Sequence, residues 1–123
     1  MTRLLIVDDH VAIRQGLKQM FATVPGIEVV GVAADGRQAV SKADQLKPDV
    51  VLMDIEMPNV DGVEATRRIT ATHPSSRVVI LTASNDRRRI QNALRAGAAG
   101  YVLKHSEPDQ VVRAVQEAFS KAS

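Results

Sequence analysis

Apolar residues along the chain fall into five short runs at similar spacing, each followed by a stretch with helical period. The runs are Leu4-Leu5-Ile6-Val7, Ile27-Glu28-Val29-Val30-Gly31-Val32, Val50-Val51-Leu52-Met53, Val78-Val79-Ile80-Leu81 and Gly100-Tyr101-Val102-Leu103. Runs of branched and leucine side chains without polar alternation predict strands buried on both faces, as in a parallel sheet covered by helices. The second run is broken by Glu28 and Gly31, which predicts an edge strand. Between the runs, Ile13, Leu17, Met20, Phe21 and Val24 recur at three- and four-residue steps until Pro25-Gly26 stops the helix. Further helices are predicted over 36–46, ended by Lys47-Pro48, and over 61–72, ended by His73-Pro74. A fourth, over 86–96, has few large apolar residues (Ile90, Leu94) and ends at Gly97. The last, over 107–122, places Val111, Val115, Ala118 and Phe119 on one face, with Pro108 in its first turn.

Five strand–helix units in succession predict an α/β domain with right-handed crossovers and helices on both faces. Five strands favour the doubly wound, flavodoxin-like order 2-1-3-4-5, whose ligand crevice lies at the carboxyl ends of strands 1 and 3. A length of 123 residues fits one domain, 1–123. With 45% hydrophobic and 24% charged residues, disorder and coiled coil are excluded. The chain has no cysteine, so disulfides, thiolate zinc sites and cysteine nucleophiles are excluded together. No apolar run approaches the roughly 20 residues that span a bilayer, and Leu4 to Val7 is too short for a signal-peptide core. A cytoplasmic protein without membrane contact is expected. The net charge of +2, with eleven scattered arginines, leans only weakly toward acidic partners.

Polar residues then gather at one edge of this frame. Asp8 and Asp9 follow strand 1, Asp54 follows strand 3, Thr82 ends strand 4 and Lys104 ends strand 5. Carboxylates held together repel and push at least one pKa upward. A divalent cation relieves that repulsion, and a carboxylate-rich cleft without His or Cys selects a hard ion such as Mg²⁺, which also accepts phosphate oxygens. Lys104 supplies a point charge for an anion and Thr82 a hydroxyl donor. Metal, ammonium and hydroxyl converging on a carboxylate form a phosphoryl-transfer site, and a carboxylate can itself be the nucleophile. Asp54, central in the sheet and opposite the lysine, is the candidate.

The stretches Leu-Leu-Ile-Val-Asp-Asp-His (4–10), Val-Val-Leu-Met-Asp-Ile-Glu-Met-Pro-Asn-Val-Asp-Gly (50–62), Leu-Thr-Ala (81–83) and Ala-Gly-Ala-Ala-Gly-Tyr-Val-Leu-Lys (96–104) resemble the CheY-like receiver domain of two-component response regulators. The Asp-Asp-His opening and the Lys-His-Ser close look most like LuxR/NarL-type regulators. The resemblance implies that Asp54 accepts a phosphoryl group from a phosphohistidine on a sensor histidine kinase. It implies that Asp9, Asp54 and the backbone carbonyl of Glu56 bind Mg²⁺ directly, with Asp8 acting through water. It implies that Thr82 and Tyr101 reposition on phosphorylation, that Lys104 holds the phosphoryl group, and that phosphorylated copies form a homodimer. The domain is then a signalling switch with self-catalysed phosphotransfer and autodephosphorylation rather than an enzyme. Many receivers carry proline after the lysine; here His105 stands there, which leaves the geometry of the 104–105 bond open.

Other residues have plainer readings. His10 is expected in the first turn of helix 1, with a metal role as the lesser reading, and Tyr101 is either a half-buried core aromatic or a rotameric switch. The Glu56 side chain is either a plain loop glutamate or flanks the water path to the acyl phosphate. Arg87-Arg88-Arg89 opens helix 4, where the helix dipole disfavours cations, so it is either a solvated face or the mark of a loosely held helix. Pro58 and Gly62 shape the loop after Asp54. A haloacid-dehalogenase-type phosphatase would need an aspartate two residues after the nucleophile, where this chain has Glu56. A flavodoxin-like cofactor module would need a phosphate loop where Asp8 and Asp9 stand. LuxR/NarL-type regulators bind DNA through a C-terminal helix-turn-helix domain that these residues do not contain; the Ser-Lys-Ala-Ser ending favours a receiver separated from such a domain over a single-domain regulator.

Overall fold

A computed structural model describes residues 1–57, 60–83 and 87–121, with residue 121 described by its backbone alone. Pro58, Asp86, Ala122 and Ser123, singled out above, lie outside the described residues. The elements are β1 (Thr2–Val7), α1 (Val11–Ala22), β2 (Ile27–Ala33), α2 (Gly36–Leu46), β3 (Val50–Asp54), α3 (Gly62–Thr72), β4 (Arg77–Thr82), α4 (Arg87–Arg95), β5 (Gly100–Leu103) and α5 (Pro108–Lys121). The strands form one sheet in the order β2-β1-β3-β4-β5, every pair parallel, as the strand–helix alternation predicts. β2 lies at the edge, and its register against β1 slips between Leu4 and Leu5, passing from Val29 to Gly31.

Alternate residues of the strands build two cores. Leu5, Val7, Val51, Met53, Val78 and Ile80 pack with Ala39 and Ala43 of α2, Ala65 and Ile69 of α3, and Ala93 of α4. Leu4, Ile6, Val50, Leu52, Val79 and Leu81 pack on the other face with Phe21 of α1 and Val111, Val115 and Ala118 of α5. Burial on both faces is why these strands read as unbroken apolar runs.

Local chemistry sets the helix ends. Asp35 caps α2 by accepting from the Gln38 amide at 2.8 Å, and Asp61 caps α3 by accepting from Glu64 at 2.9 Å. The Arg3 guanidinium closes the far end of α2, donating to the carbonyls of Leu46 at 2.7 Å and Lys47 at 3.0 Å. Gly97, the predicted stop of α4, has φ +115, a conformation open to glycine. Two apolar assignments change. Leu94 and Phe119 are exposed, and α4 turns Ala93 rather than Leu94 into the core beside Ile90. Both residues sit one position away from buried neighbours, where a helix turns about 100° per residue and carries them off the core-facing stripe.

Gly62 ties the fold to the edge of β3. A Cβ there would stand 2.4 Å from the Asp54 carbonyl oxygen and 2.6 Å from the Ile55 Cα, both backbone atoms. Gly62→Ala is therefore expected to destabilise the protein by about 1–3 kcal/mol, since overpacking against backbone has no side chain to yield. Chemical denaturation checks this, and an unchanged midpoint would show that the loop is free to give way.

Candidate functional site

All five polar residues at the strand ends come to the carboxyl edge of the sheet. β1 delivers Asp8, whose amide donates to the Ala33 carbonyl at 3.1 Å and whose own carbonyl accepts from Arg14 Nη1 at 2.7 Å. β3 delivers Asp54, and the Glu56 amide donates to its Oδ1 at 3.1 Å. The Lys104 amide donates to the Thr82 carbonyl at 2.8 Å, which fixes the start of the lysine's reach. No cis peptide occurs among the described residues, so the Lys104–His105 bond is trans.

Lys104 Nζ stands 3.2 Å from Asp8 Oδ2 and 3.2 Å from Asp54 Oδ2, bridging two carboxylates that are 0% and 1% exposed. One ammonium therefore faces two buried anions, with Asp9 beside them. Burial raises the Asp54 pKa from 3.8 to about 6, assisted by the Asp8 charge and opposed by the Glu56 amide and Lys104. Burial pulls the Lys104 ammonium the other way, yet the Asp54 and Asp8 charges outweigh it and hold its pKa above the usual value. Asp8 Oδ2 and Asp54 Oδ2 are buried with the Lys104 ammonium against them, and Asp9 Oδ1 is buried and accepts no hydrogen bond. Carboxylate oxygens of all three aspartates and a ring nitrogen of His10 lie within 4.8 Å of one another. Such a donor set suits a divalent cation, which would supply the charge that one lysine does not.

His10 departs from its sequence reading. It is the N-cap of α1 rather than a first-turn residue, and its side chain does not cap the helix. The ring turns back over the aspartates, with Nδ1 3.2 Å from Asp8 Oδ1 and 3.1 Å from Asp9 Oδ1. The available signal was chemical: histidine is a poor N-cap, so its place beside two aspartates called for another explanation.

Thr82 is buried at the end of β4, one position beyond Leu81, the register partner of Asp54. Tyr101 is 47% exposed on the edge strand β5, so the core-aromatic reading does not hold. It borders a groove of about 300 Å³ with Arg87, Ile90 and Gln91. The Glu56 carboxylate is not among the clustered aspartate oxygens and pairs with Arg89 Nη1 of α4 at 3.0 Å. A second acid in the cleft, as a haloacid-dehalogenase-type phosphatase needs, is therefore not placed by Glu56. Arg14 and Arg89 were not singled out for these contacts, because both partners come from loops whose path local sequence does not specify.

Residues 4–116 match the response regulator receiver domain family. The response regulator GacA of Pseudomonas viridiflava is 42% identical over 120 residues, which take in 98% of this chain and 56% of GacA. The chain spans about half the length of the curated relatives it matches. The signal receiver domain of the response regulator NarL from Mycobacterium tuberculosis aligns at TM-score 0.92 and 31% identity, over 97% of this chain and 96% of that one. A structure of a CheX–CheY–BeF3–Mg²⁺ complex from Borrelia burgdorferi aligns at TM-score 0.88 and 30% identity, over 96% of this chain and 89% of that one. Order of strands, motifs and relatives agree: the chain belongs to the response regulator receiver domain family and is most like its LuxR/NarL-type members.

Proposed function

We propose that this domain is a phosphorylation-dependent switch in which Asp54 accepts a phosphoryl group from a phosphohistidine of a sensor histidine kinase. The observation that carries the reading is the buried Asp54 carboxylate, oriented by the Glu56 amide and faced by Lys104 at 3.2 Å. An Asp54 oxygen attacks in line at phosphorus, the P–N bond to the donor imidazole breaks, and the mixed anhydride is later hydrolysed to phosphate. Lys104 neutralises charge on the phosphoryl oxygens and holds them against the strand edge. Asp9, Asp54 and the Glu56 carbonyl would hold Mg²⁺, with Asp8 acting through water. Bound there, Mg²⁺ supplies charge neutralisation for the carboxylates and the incoming phosphoryl oxygens. The buried Asp9 Oδ1 without a hydrogen-bond donor, and two buried carboxylates sharing one ammonium, support that assignment, as does the Mg²⁺ named for the Borrelia burgdorferi complex.

The phosphoryl dianion then draws in the Thr82 hydroxyl, and Tyr101 leaves its exposed position for the space vacated. This is a population shift, biased only through contacts that differ between the two states. The altered surface of α4, β5 and α5 promotes a homodimer, and a C-terminal helix-turn-helix domain beyond residues 1–123 carries DNA binding. A cytoplasmic location fits: no described helix is long and apolar enough to cross a membrane.

Treating the protein with a small-molecule phosphodonor and Mg²⁺ is expected to add one phosphoryl group by intact mass. Asp54→Asn abolishes the label and Lys104→Ala slows labelling by about 10²-fold. Label persisting in Asp54→Asn would mean that another residue is the nucleophile.

The same variant reports on electrostatics in the metal-free protein. Folded Asp54 takes up its proton near pH 6, against 3.8 for the ordinary group, so the folded state binds more protons between those values. Stability therefore falls as pH rises through that window and stays reduced above it. Asp54→Asn removes the penalty and is expected to stabilise the apo protein at pH 7.5 by on the order of 1–3 kcal/mol. The gain should fade toward pH 4, where both states hold the proton. Thermal melts of both proteins in chelator check this; a variant less stable than wild type at pH 7.5 would contradict it.

A further inference from the structure

We propose that α4 is a lever, hinged where Gly97 presses on Thr70 and caught at its other end by the Glu56–Arg89 ion pair. Arg89 is then a positioning residue that sets how readily the domain adopts its switched state. The inference rests on reading Asp54 as the phosphoacceptor, and names the contact that couples that site to α4.

The two ends of α4 are held by different kinds of contact. At the C-terminal end, the Gly97 amide donates to the Leu94 carbonyl at 3.1 Å and the Ala98 amide to the Ala93 carbonyl at 3.0 Å. Those bonds, with Gly97 at φ +115, close the last turn on itself. The Ala96 carbonyl accepts from Thr70 Oγ1 of α3 at 2.9 Å, a hydroxyl equally near the Thr66 carbonyl of its own helix. A Cβ on Gly97 would lie 2.6 Å from the same Thr70 oxygen, so α3 directly abuts the end of α4. The Ala99 amide donates to the Val78 carbonyl at 2.7 Å, which ties this hinge to β4.

The N-terminal end is held by charge. Arg87, Arg88 and Arg89 stand where the helix dipole disfavours cations. Arg89 Nη1 pairs with Glu56 Oε1 at 3.0 Å, and both side chains are half-exposed. Beside the pair, a cleft of about 670 Å³ has Val63, Glu64 and Arg67 of α3 on one side and Arg89 and Asn92 of α4 on the other. This half of the helix therefore has open space to enter. From Arg89 to Gly97 is about 12 Å of helix. A rotation of roughly 10° about the hinge moves Arg89 by about 2 Å, enough to open the pair without unwinding a turn.

Glu56 joins the catch to the reacting carboxylate. Its amide donates to Asp54 Oδ1 at 3.1 Å while its carboxylate holds Arg89. A group added to Asp54 changes what that amide faces, and displacement of the Glu56 backbone passes to Arg89. By linkage the coupling runs both ways: a pair that favours the unmodified state weakens binding of a phosphoryl mimic.

The test uses the whole chain with Mg²⁺ and beryllofluoride, which mimics a phosphoryl group on a carboxylate. Glu56→Gln and Arg89→Gln are combined in a double-mutant cycle, because each also changes local charge on its own account. The cycle is expected to show that the pair weakens beryllofluoride binding about two- to fivefold, an effect kept by Arg89→Lys and lost in high salt. On binding, backbone amide shifts should change along the first turns of α4 while protection of the Ala96 and Ala98 amides from exchange stays within about twofold. Thr70→Val, which removes the hydroxyl and keeps the volume, should lower that protection about fivefold in the ligand-free protein. A coupling factor near one overturns the catch, and protection lost at Ala96 and Ala98 on binding, or unchanged in Thr70→Val, overturns the hinge. Each of these leaves Asp54 standing as the phosphoacceptor. Wild type that binds no beryllofluoride overturns the phosphoacceptor reading and this inference together.

Discussion

Two carboxylates without access to water share one ammonium at the edge of this sheet, and much else in the molecule answers to that arrangement. Asp8 and Asp54 are 0% and 1% exposed, and Lys104 stands 3.2 Å from each. Like charges so placed are costly in a medium of lowered dielectric, and one cation relieves only part of the cost. The raised pKa of Asp54 is the direct expression of that imbalance. Negative oxygen that the chain does not fully neutralise attracts further positive charge. Proposed metal binding and phosphoryl transfer both use it.

The fold makes the imbalance tolerable by building it on rigid elements. β1 and β3 are adjacent in the sheet, and each is buried along the length that leads to its aspartate. Two separate apolar clusters clamp the strands from both faces. The Asp8 backbone is further fixed by the Ala33 carbonyl and the Arg14 guanidinium, and Asp54 by the Glu56 amide. The site also lies at the start of α1, whose N-terminal amides carry positive partial charge toward the aspartates. Stability spent at the strand ends is thus offset along the strands, the usual distribution for a site that must hold strained charge.

Legibility in the sequence followed the range of the interactions. Strand runs, helix stops and the edge position of β2 were visible because each rests on side-chain periodicity or on proline and glycine within a few residues. The gathering of Asp8, Asp9, Asp54, Thr82 and Lys104 was visible once topology was assumed, since parallel strands put all their carboxyl ends together. Side-chain direction was not. Whether His10 faces solvent or the aspartates depends on a rotamer at a helix cap, and whether Glu56 faces the cleft depends on Arg89, 33 positions later in sequence. Phe119 and Leu94 show the same limit inside helices: one step of rotation separates the buried stripe from the exposed face, and small Ala93 and Ala118 take the interior places.

Within the proposed switch, α4 is the element whose hold on the sheet is weak enough to respond. It buries Ile90 and Ala93, whereas α5 buries Val111, Val115 and Ala118. Its first turn is three arginines at the dipole end that disfavours them, and Arg89 reaches across to Glu56, two residues past Asp54. An ion pair between half-exposed groups contributes about 0–1 kcal/mol, so it steers the helix without locking it. A dianion on Asp54 would act on both ends of this link, through Thr82 at the start of the β4–α4 loop and through the backbone that carries Glu56. Small apolar area, unfavourable terminal charge and a salt-screened tie to the phosphoacceptor loop together place α4 where modest differential contacts can shift its population. The central strands, clamped by apolar clusters on both faces, give a fixed frame against which such a shift is read.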